Sequence, residues 1–284
     1  FIIWLKVKTL IGRGRKIAIV GGTGRMGSLI AKLLKKDGFK LTICSRRWEV
    51  AKQAAKKLGV AYNTIKDGVG EAEVVVVSVP IENTYKVCKD VAKQMKNGTL
   101  LVEISSVKTG ITDKLAKELP PHIKYLSIHP LFGPQAKSLN KQNVVVIKSK
   151  MNPCSRRVVE YLKGKGAQIA FLSADDHDRA MAVVQAMHHF AMLSLLYALT
   201  NQLRKFREPH KLITRSLKLT LKSANNILEN MDAVTSIQQF NPHAKEMRTT
   251  YLRLISALNK KDPKKISAEL RAEIQKLPLQ KIEK

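Results

Sequence analysis

Cysteine is scarce in this 284-residue chain: Cys44, Cys88 and Cys154, an odd number at wide spacings with no C-x-x-C pair. That disfavours a disulfide framework or a zinc site, so no metal is expected, and it fits a reducing cytoplasm. Aromatic residues are only 5%, too few for the stacking platform that single-stranded nucleic acids need. Acidic residues are also few, 22 against 51 basic ones, for a formal net charge of +29. A Lys-rich solvated surface is one account of that charge, and a positive field for anions is another. The lysines are spread along the whole chain, so a nucleic-acid partner is not expected, whereas phosphorylated cofactors and dicarboxylates suit such a field. On a reading in which charge interrupts every apolar run of about 18 residues, no membrane-spanning helix is expected. The opening Phe1-Ile2-Ile3-Trp4-Leu5 is broken by Lys6 and Lys8 and is too short for a secretory signal. Residues 1–14 read as an N-terminal extension, with a surface-lying strand as one reading.

What is present is a globular mix, 44% hydrophobic and 26% charged, with material for a sizeable core in one large or two ordinary domains. Lys16–Val20 is a short β-branched run followed at once by Gly21, Gly22, Gly24 and Gly27. Met26, Leu29, Ile30, Leu33 and Leu34 then recur at helical spacing as far as Gly38. Residues 41–44 read as a second strand and 49–58 as a helix stopped by Gly59. Val74–Val77 is a continuous apolar run, as in a strand covered on both faces, and Pro80 closes it before a helix reaching Met95. Further strands are expected at 99–102, 124–128, 144–147 and 167–171, with a helix near 155–163. Strands alternating with helices imply βαβ units and a mostly parallel sheet. The alternation stops near Ser173. Helices are expected at 180–199, 211–231, 243–258 and 265–277, punctuated by Pro209, Pro242 and Pro263. The expected organisation is thus the extension 1–14, an α/β domain over 15–174 and an all-α domain over 175–284.

Gly22-Thr23-Gly24-Arg25-Met26-Gly27 is G-x-G-x-x-G set between a strand and a helix. In that context the glycines let the backbone approach a pyrophosphate, which the helix N-terminus meets with free N–H groups. The alternative is a tight turn without a ligand. The α/β half is therefore expected to be a Rossmann-type dinucleotide-binding domain. Where such a domain carries an acidic ribose reader, about 20 residues further on, this chain has Ser45-Arg46-Arg47. Guanidinium forks suit a 2′-phosphate, so NADP is expected ahead of NAD; ordinary solvated arginines are the other reading. Ser78 and Pro80, past the Val74–Val77 run, complete the candidate cofactor-binding set.

Three further segments stand out: Glu103-Ile104-Ser105-Ser106-Val107-Lys108, His129-Pro130-Leu131-Phe132-Gly133-Pro134, and His177-Asp178-Arg179 leading into Val184-Gln185-Ala186-Met187-His188-His189-Phe190-Ala191. The first two follow strands, which puts them at the sheet rim where the ligands of open α/β sheets bind. Read on their own, these residues have ordinary explanations as well. His129 could cap its strand, Ser106 could be the N-cap of a helix over 111–119, and His177-Asp178-Arg179 could be a helix turn held by local charge pairing. Lys108 could touch substrate, cofactor or nothing, and His188 reads as surface or interface.

With these motifs in this order, residues 16–250 resemble the prephenate dehydrogenase family, which includes arogenate dehydrogenases, and most closely its archaeal-type members. The resemblance implies a dinucleotide-binding domain followed by a helical domain that builds a homodimer. It implies hydride transfer from a dicarboxylate cyclohexadienol to the nicotinamide, with loss of the ring carboxylate as CO2. His129 then matches the catalytic His that takes the hydroxyl proton, Ser106 the Ser that orients it, and His189 a second His lining the substrate pocket. One departure concerns the Arg that binds the side-chain carboxylate in the family, because Ala224-Asn225 stands at the position counted back from Ile237-Gln238. Arg215, Lys218 and Lys222 lie nearby, and Arg215 and Lys218 are the candidate anion anchors. The implied function is NADP-linked oxidation of prephenate to 4-hydroxyphenylpyruvate for tyrosine synthesis. The alternatives are arogenate oxidation, a deazaflavin-linked NADP oxidoreductase, or a non-catalytic NADP-binding protein.

Overall fold

The computed structural model describes residues 14–148 and 151–276. The expectation of an N-terminal extension falls, except for Gly14, outside the described residues. The first half alternates strand and helix: β1 (Lys16–Val20), α1 (Arg25–Lys36), β2 (Lys40–Cys44), α2 (Trp48–Leu58), β3 (Ala61–Asn63), α3 (Ile65–Glu71), β4 (Val74–Val77), α4 (Ile81–Ala92), β5 (Leu100–Glu103), α5 (Thr112–Glu118), β6 (Lys124–Pro130), β7 (Asn143–Ile147), α6 (Pro153–Gly164) and β8 (Gln168–Leu172). These strands form one sheet in the order β3-β2-β1-β4-β5-β6-β7-β8. Neighbours run parallel except β6 and β7, which pair antiparallel. The strand order reverses between β1 and β4, which opens the crevice where such sheets take their ligands.

The central strands read as apolar runs because helices cover both faces. Val75, Val76 and Val77 of β4 are buried, as are Ala18 and Ile19 of β1. The two faces build separate cores, one around Ile17, Ile19, Leu100, Leu126 and Val146, the other around Ala18, Val75, Cys88, Leu101 and Leu115. The expected strands and parallel pairing are present. The sequence reading missed β3 and α3, because β3 has only three residues and α3 carries two helix-weakening glycines. Gly68 of α3 has a packing reason: a Cβ there would lie 2.4 Å from Cys44 Sγ. Ser106 is not a helix cap, since Ile111 precedes α5 and no side chain caps it.

Among the described residues no strand follows β8. The helical half comprises α7 (Ala174–Met181), a π-helical turn (Ala182–Met187), α8 (His188–Leu203), a 3-10 turn (Pro209–Leu212), α9 (Arg215–Leu228), α10 (Met231–Phe240), α11 (Ala244–Asn259) and α12 (Pro263–Lys276). The expected single helix 211–231 is broken at its start. Thr214 caps α9, its side chain accepting from the Leu217 N–H, and a separate α10 follows.

α7, the π turn and α8 form one continuous 30-residue helix, Ala174–Leu203, which by length and composition is long and apolar enough to cross a membrane. This corrects the expectation from the sequence. Gln185, His188, His189, Ser194, Thr200, Asn201 and Gln202 interrupt the apolar run between Met181 and Leu203, but none is an Asp, Glu, Lys or Arg. No residue of α8 is buried in the single chain. Tyr197, at 75% exposure, together with Leu195, Leu252, Leu254 and Ile255 leaves the helical half with apolar surface uncovered.

The glycine turn after β1 is built for close approach. A Cβ on Gly27 would meet the Gly21 carbonyl oxygen at 2.5 Å and the Gly22 Cα at 2.8 Å. Overpacking of this kind costs about 1–3 kcal/mol, so Gly27→Ala should lower the thermal unfolding midpoint. An unchanged midpoint would show that the turn and α1 are not packed this tightly.

Candidate active site

Gly24 precedes α1 with extended backbone and no side-chain cap, and no acidic residue stands in the first turn of the helix. The opening N–H groups are therefore left for an external anion. Gly21, at φ +81, lies against the end of β4: a Cβ there would sit 2.1 Å from the Ser78 carbonyl oxygen, and the Ser78 N–H donates to the Val20 carbonyl at 2.8 Å. Ser78 therefore stands beside the glycine turn across the crevice, with Pro80 opening α4. Ser45, Arg46 and Arg47 follow β2 at the same rim, where Ser45 Oγ accepts from the Arg47 N–H at 3.2 Å. Arg46 and Arg47 are exposed, and among the described residues neither pairs with a carboxylate. Arg25 turns towards the helical half: Nη1 donates to the Glu229 carbonyl at 2.6 Å and Nη2 lies 3.5 Å from the Glu229 carboxylate.

A buried polar cluster lies past β5 and β6. Lys108 and Glu103 are both fully buried, and Lys108 Nζ donates to Glu103 Oε1 at 2.8 Å and to the Ile128 carbonyl at 2.7 Å. The Ser105 N–H donates to Glu103 Oε2 at 2.7 Å, and Ser127 Oγ donates to Glu103 Oε1. Burial pulls the Lys108 ammonium below its ordinary value, and Glu103 opposes that. Asp178 of α7 reaches back to the same loop. Its carboxylate accepts from the Lys108 N–H at 2.9 Å and the Thr109 N–H at 2.7 Å. Burial pushes its carboxyl up, but hydrogen bonds from His177 and Thr109 outweigh that and hold it below the usual value. The Asn241 side chain donates to the Asp178 carbonyl at 2.8 Å, which fixes α7 against the segment after α10.

His129 stands in β6 at 3% exposure, with Nδ1 2.8 Å from His177 Nε2. His177 Nδ1 in turn lies 2.7 Å from Asp178 Oδ1. Burial, then the nearby His177 and Lys108, push the His129 imidazole well below its ordinary value, so it is neutral. The sequence reading missed this connection. The pairing within His177-Asp178-Arg179 is real only for His177 and Asp178, because Arg179 pairs with Asp175 at 2.7 Å. The available signal was the position of the His-Asp pair, at the first helix after the sheet.

The other predicted residues are placed less closely. Ser106 lies on the loop between Glu103 and Lys108, and no hydrogen bond joins it to His129. His189 begins α8 half-buried, with Nδ1 enclosed and unpartnered. Burial, then His188, push its imidazole down to about 4. Gln185, four residues earlier, also has an enclosed and unpartnered Oε1. Arg215 and Lys218 are exposed on α9, which packs against α8. Ala224 is buried in that helix and Asn225 donates to Glu229 at 3.0 Å. Arg248 of α11, a cation passed over in the sequence, donates to Gln238 Oε1 at 2.7 Å, and Gln238 donates to the Ala186 carbonyl at 2.7 Å.

The depressed His189 has a consequence for stability. The unfolded chain takes up its proton near the ordinary value of 6.5, the folded chain only near 4, so acidification favours unfolding across that window. Denaturant unfolding should therefore lose stability between these pH values more steeply in the parent than in His189→Gln. Parallel curves for the two proteins would show that His189 is not enclosed as described.

The family model for "Prephenate dehydrogenase, nucleotide-binding domain" matches residues 30–171, and that for "Prephenate dehydrogenase, dimerization domain" matches 173–275. The probable arogenate/prephenate dehydrogenase of Methanocaldococcus jannaschii is 32% identical over 83% of this chain and 54% of its own. The T-protein of Haemophilus influenzae is 32% identical over 65% of this chain and 45% of its own. The chain thus spans about half the length of these curated relatives. Among solved structures, prephenate dehydrogenase from Aquifex aeolicus, in complex with hydroxyphenyl propionate and NAD+, superposes with a TM-score of 0.70 at 16% identity, covering 95% of this chain and 98% of that one; at that identity the likeness concerns the fold. With both halves matched in order, the chain belongs to the prephenate/arogenate dehydrogenase family.

Proposed function

We propose that the chain oxidises prephenate to 4-hydroxyphenylpyruvate with NADP, releasing CO2, as a step in tyrosine synthesis. The observation that carries this reading is His129, a buried neutral imidazole near the end of β6 in a nucleotide-binding domain. The cofactor fits the cradle: α1 opens without a cap or an acidic residue, and the Gly27 packing brings its first turn against the glycine loop. Gly22, Thr23, Gly24, Arg25, Met26 and Gly27 would hold the pyrophosphate, Ser78 and Pro80 would flank it, and Ser45, Arg46 and Arg47 would hold the 2′-phosphate. The bound nicotinamide supplies the hydride acceptor.

In this reading the residues of the chain do the rest. His129 Nε2 takes the proton of the ring hydroxyl as hydride departs from the same carbon. Ser106 orients the hydroxyl and the imidazole. His189 lines the pocket as a neutral donor or acceptor. Lys218 and Arg215 approach the side-chain carboxylate from α9. Loss of the ring carboxylate as CO2 leaves its electron pair to complete the aromatic ring. Arogenate is the second reading, favoured by the double name of the M. jannaschii relative. A homodimer through the helical half would cover the apolar surface of α8. A cytoplasmic location agrees with three free cysteines.

The test is absorbance of reduced nicotinamide when purified protein meets prephenate with NADP or with NAD. Turnover is expected with NADP. His129→Asn should abolish it while leaving NADP binding nearly intact. Arg46→Ala combined with Arg47→Ala should weaken NADP far more than NAD. Silence with prephenate and with arogenate would overturn the reading, and an unchanged NADP preference in the double variant would remove the role given to the arginines.

A further inference from the structure

We infer that His177 and Asp178 are positioning residues that fix the tautomer of His129, leaving its Nε2 unprotonated and facing the reaction. The inference rests on the catalytic role proposed above for His129 and adds two residues to it. The chain of contacts is short and enclosed: Asp178 Oδ1 to His177 Nδ1 at 2.7 Å, and His177 Nε2 to His129 Nδ1 at 2.8 Å. His177 and Asp178 have no exposed surface, and His129 has almost none.

Each link sets the next. Asp178 already accepts from the Lys108 and Thr109 N–H groups, so its carboxylate is held ionised and can only accept. His177 must then carry its proton on Nδ1 and donate it to Asp178. A neutral His177 has a bare Nε2, which can only accept. His129 must therefore carry its proton on Nδ1 and donate it to His177, which leaves Nε2 as its basic atom. Among the described residues Nε2 of His129 has no hydrogen-bond partner, so it is the atom left to meet a substrate hydroxyl. When Nε2 takes a proton, the imidazolium keeps its Nδ1–H on His177, and the ionised Asp178 lies one ring away to offset the charge. Asp178 itself takes no proton. The titratable groups around His129 are His177 and Asp178 from α7, with Lys108 from the loop after β5 and Glu103 beneath it.

The arrangement is specific to Asp178. An Asn there keeps an acceptor for the loop N–H groups but presents a donor to His177 Nδ1. His177 would then donate from Nε2, and His129 would carry its proton on Nε2, the wrong atom for a base. A change of this kind in the Asp–His pair of serine proteases, a worked case of tautomer control, lowers turnover by about 10⁴.

The experiment is nitrogen-15 NMR of the histidine ring nitrogens in the parent protein and in Asp178→Asn, with steady-state kinetics on both and on His177→Gln. The expected parent spectrum shows His129 with Nδ1 protonated and Nε2 bare, reversed in Asp178→Asn. The expected kinetics are a fall in kcat of about 10³–10⁴ in Asp178→Asn, with prephenate KM and NADP affinity nearly unchanged. His177→Gln should also lose kcat rather than KM, and the acidic limb of its pH–rate profile should move. A parent His129 bare at Nδ1, as a protonated His177 would produce, overturns the inference, as does a folded Asp178→Asn with parental kcat. The parent spectrum decides the point even if neither variant folds. It also separates the two readings, because an inactive parent overturns the proposed reaction while the tautomer remains readable.

Discussion

Lys108 is a long basic side chain with no exposed surface, and such a group is tolerated inside a fold when it is paired and hydrogen-bonded. Glu103 and the Ile128 carbonyl receive its ammonium, and Ser105 and Ser127 fill the remaining positions on Glu103. A buried ion pair of this kind contributes little net stability against a well-packed apolar core; what it supplies is register. The loop after β5 is drawn down over the ends of β5 and β6, and its Lys108 and Thr109 N–H groups are thereby turned towards α7. Asp178 answers them. One buried cluster thus fixes the loop bearing Ser106, the strand bearing His129 and the first helix of the second half.

The junction between the halves depends on the same logic of satisfied backbone. The π turn at Ala182–Met187 departs from α-helical hydrogen bonding where α7 becomes α8, and such turns recur at functional sites. The Ala186 carbonyl is taken by the Gln238 side chain, which Arg248 holds from α11. Ala186 itself packs with Ile81, Val107, Ile237 and Ala244, so elements from both halves meet at this turn. It sets the rotation at which His188 and His189 leave the helix, one exposed and the other half-enclosed. A second tie, Arg25 to Glu229, joins the glycine loop to the end of α9. The nucleotide cradle and the helical half are therefore coupled at two separated points.

Most of the sheet is legible in the sequence because its signal is local. Lys16–Val20 followed by glycines, Val74–Val77 closed by Pro80, and the shift from alternation to helices near Ser173 each occupy a few consecutive residues. The three-residue β3 and the glycine-bearing α3 are hidden because tertiary packing overrides weak propensity there, as the fit of Gly68 against Cys44 shows. The glycine loop and His129 are legible through motif context. The connection from His129 to Asp178 is not, because it joins residues 48 apart and then turns on the loop 70 residues back. Reading along the chain, His177-Asp178-Arg179 resembles an ordinary charged helix start; only the fold reveals that Asp178 faces inward while Arg179 faces Asp175. Likewise Arg25 belongs to the glycine motif, yet its side chain faces the other half, which no local pattern announces.

The helical half shows how an apolar helix can be unfinished in a single chain. From Met181 to Leu203 there is no Asp, Glu, Lys or Arg, yet no residue of α8 is buried. Apolar positions left open at this scale on a helix need a second surface to remove them from water. The second half matches a family model described as a dimerization domain, and a second copy offers the same open face, as a two-fold contact requires. His189 sits at the start of that helix, at the edge between the enclosed π turn and the open face. Covering α8 would therefore deepen the burial that already pushes its imidazole down. One helix thus carries both the open apolar face and, at its start, the imidazole whose protonation burial opposes.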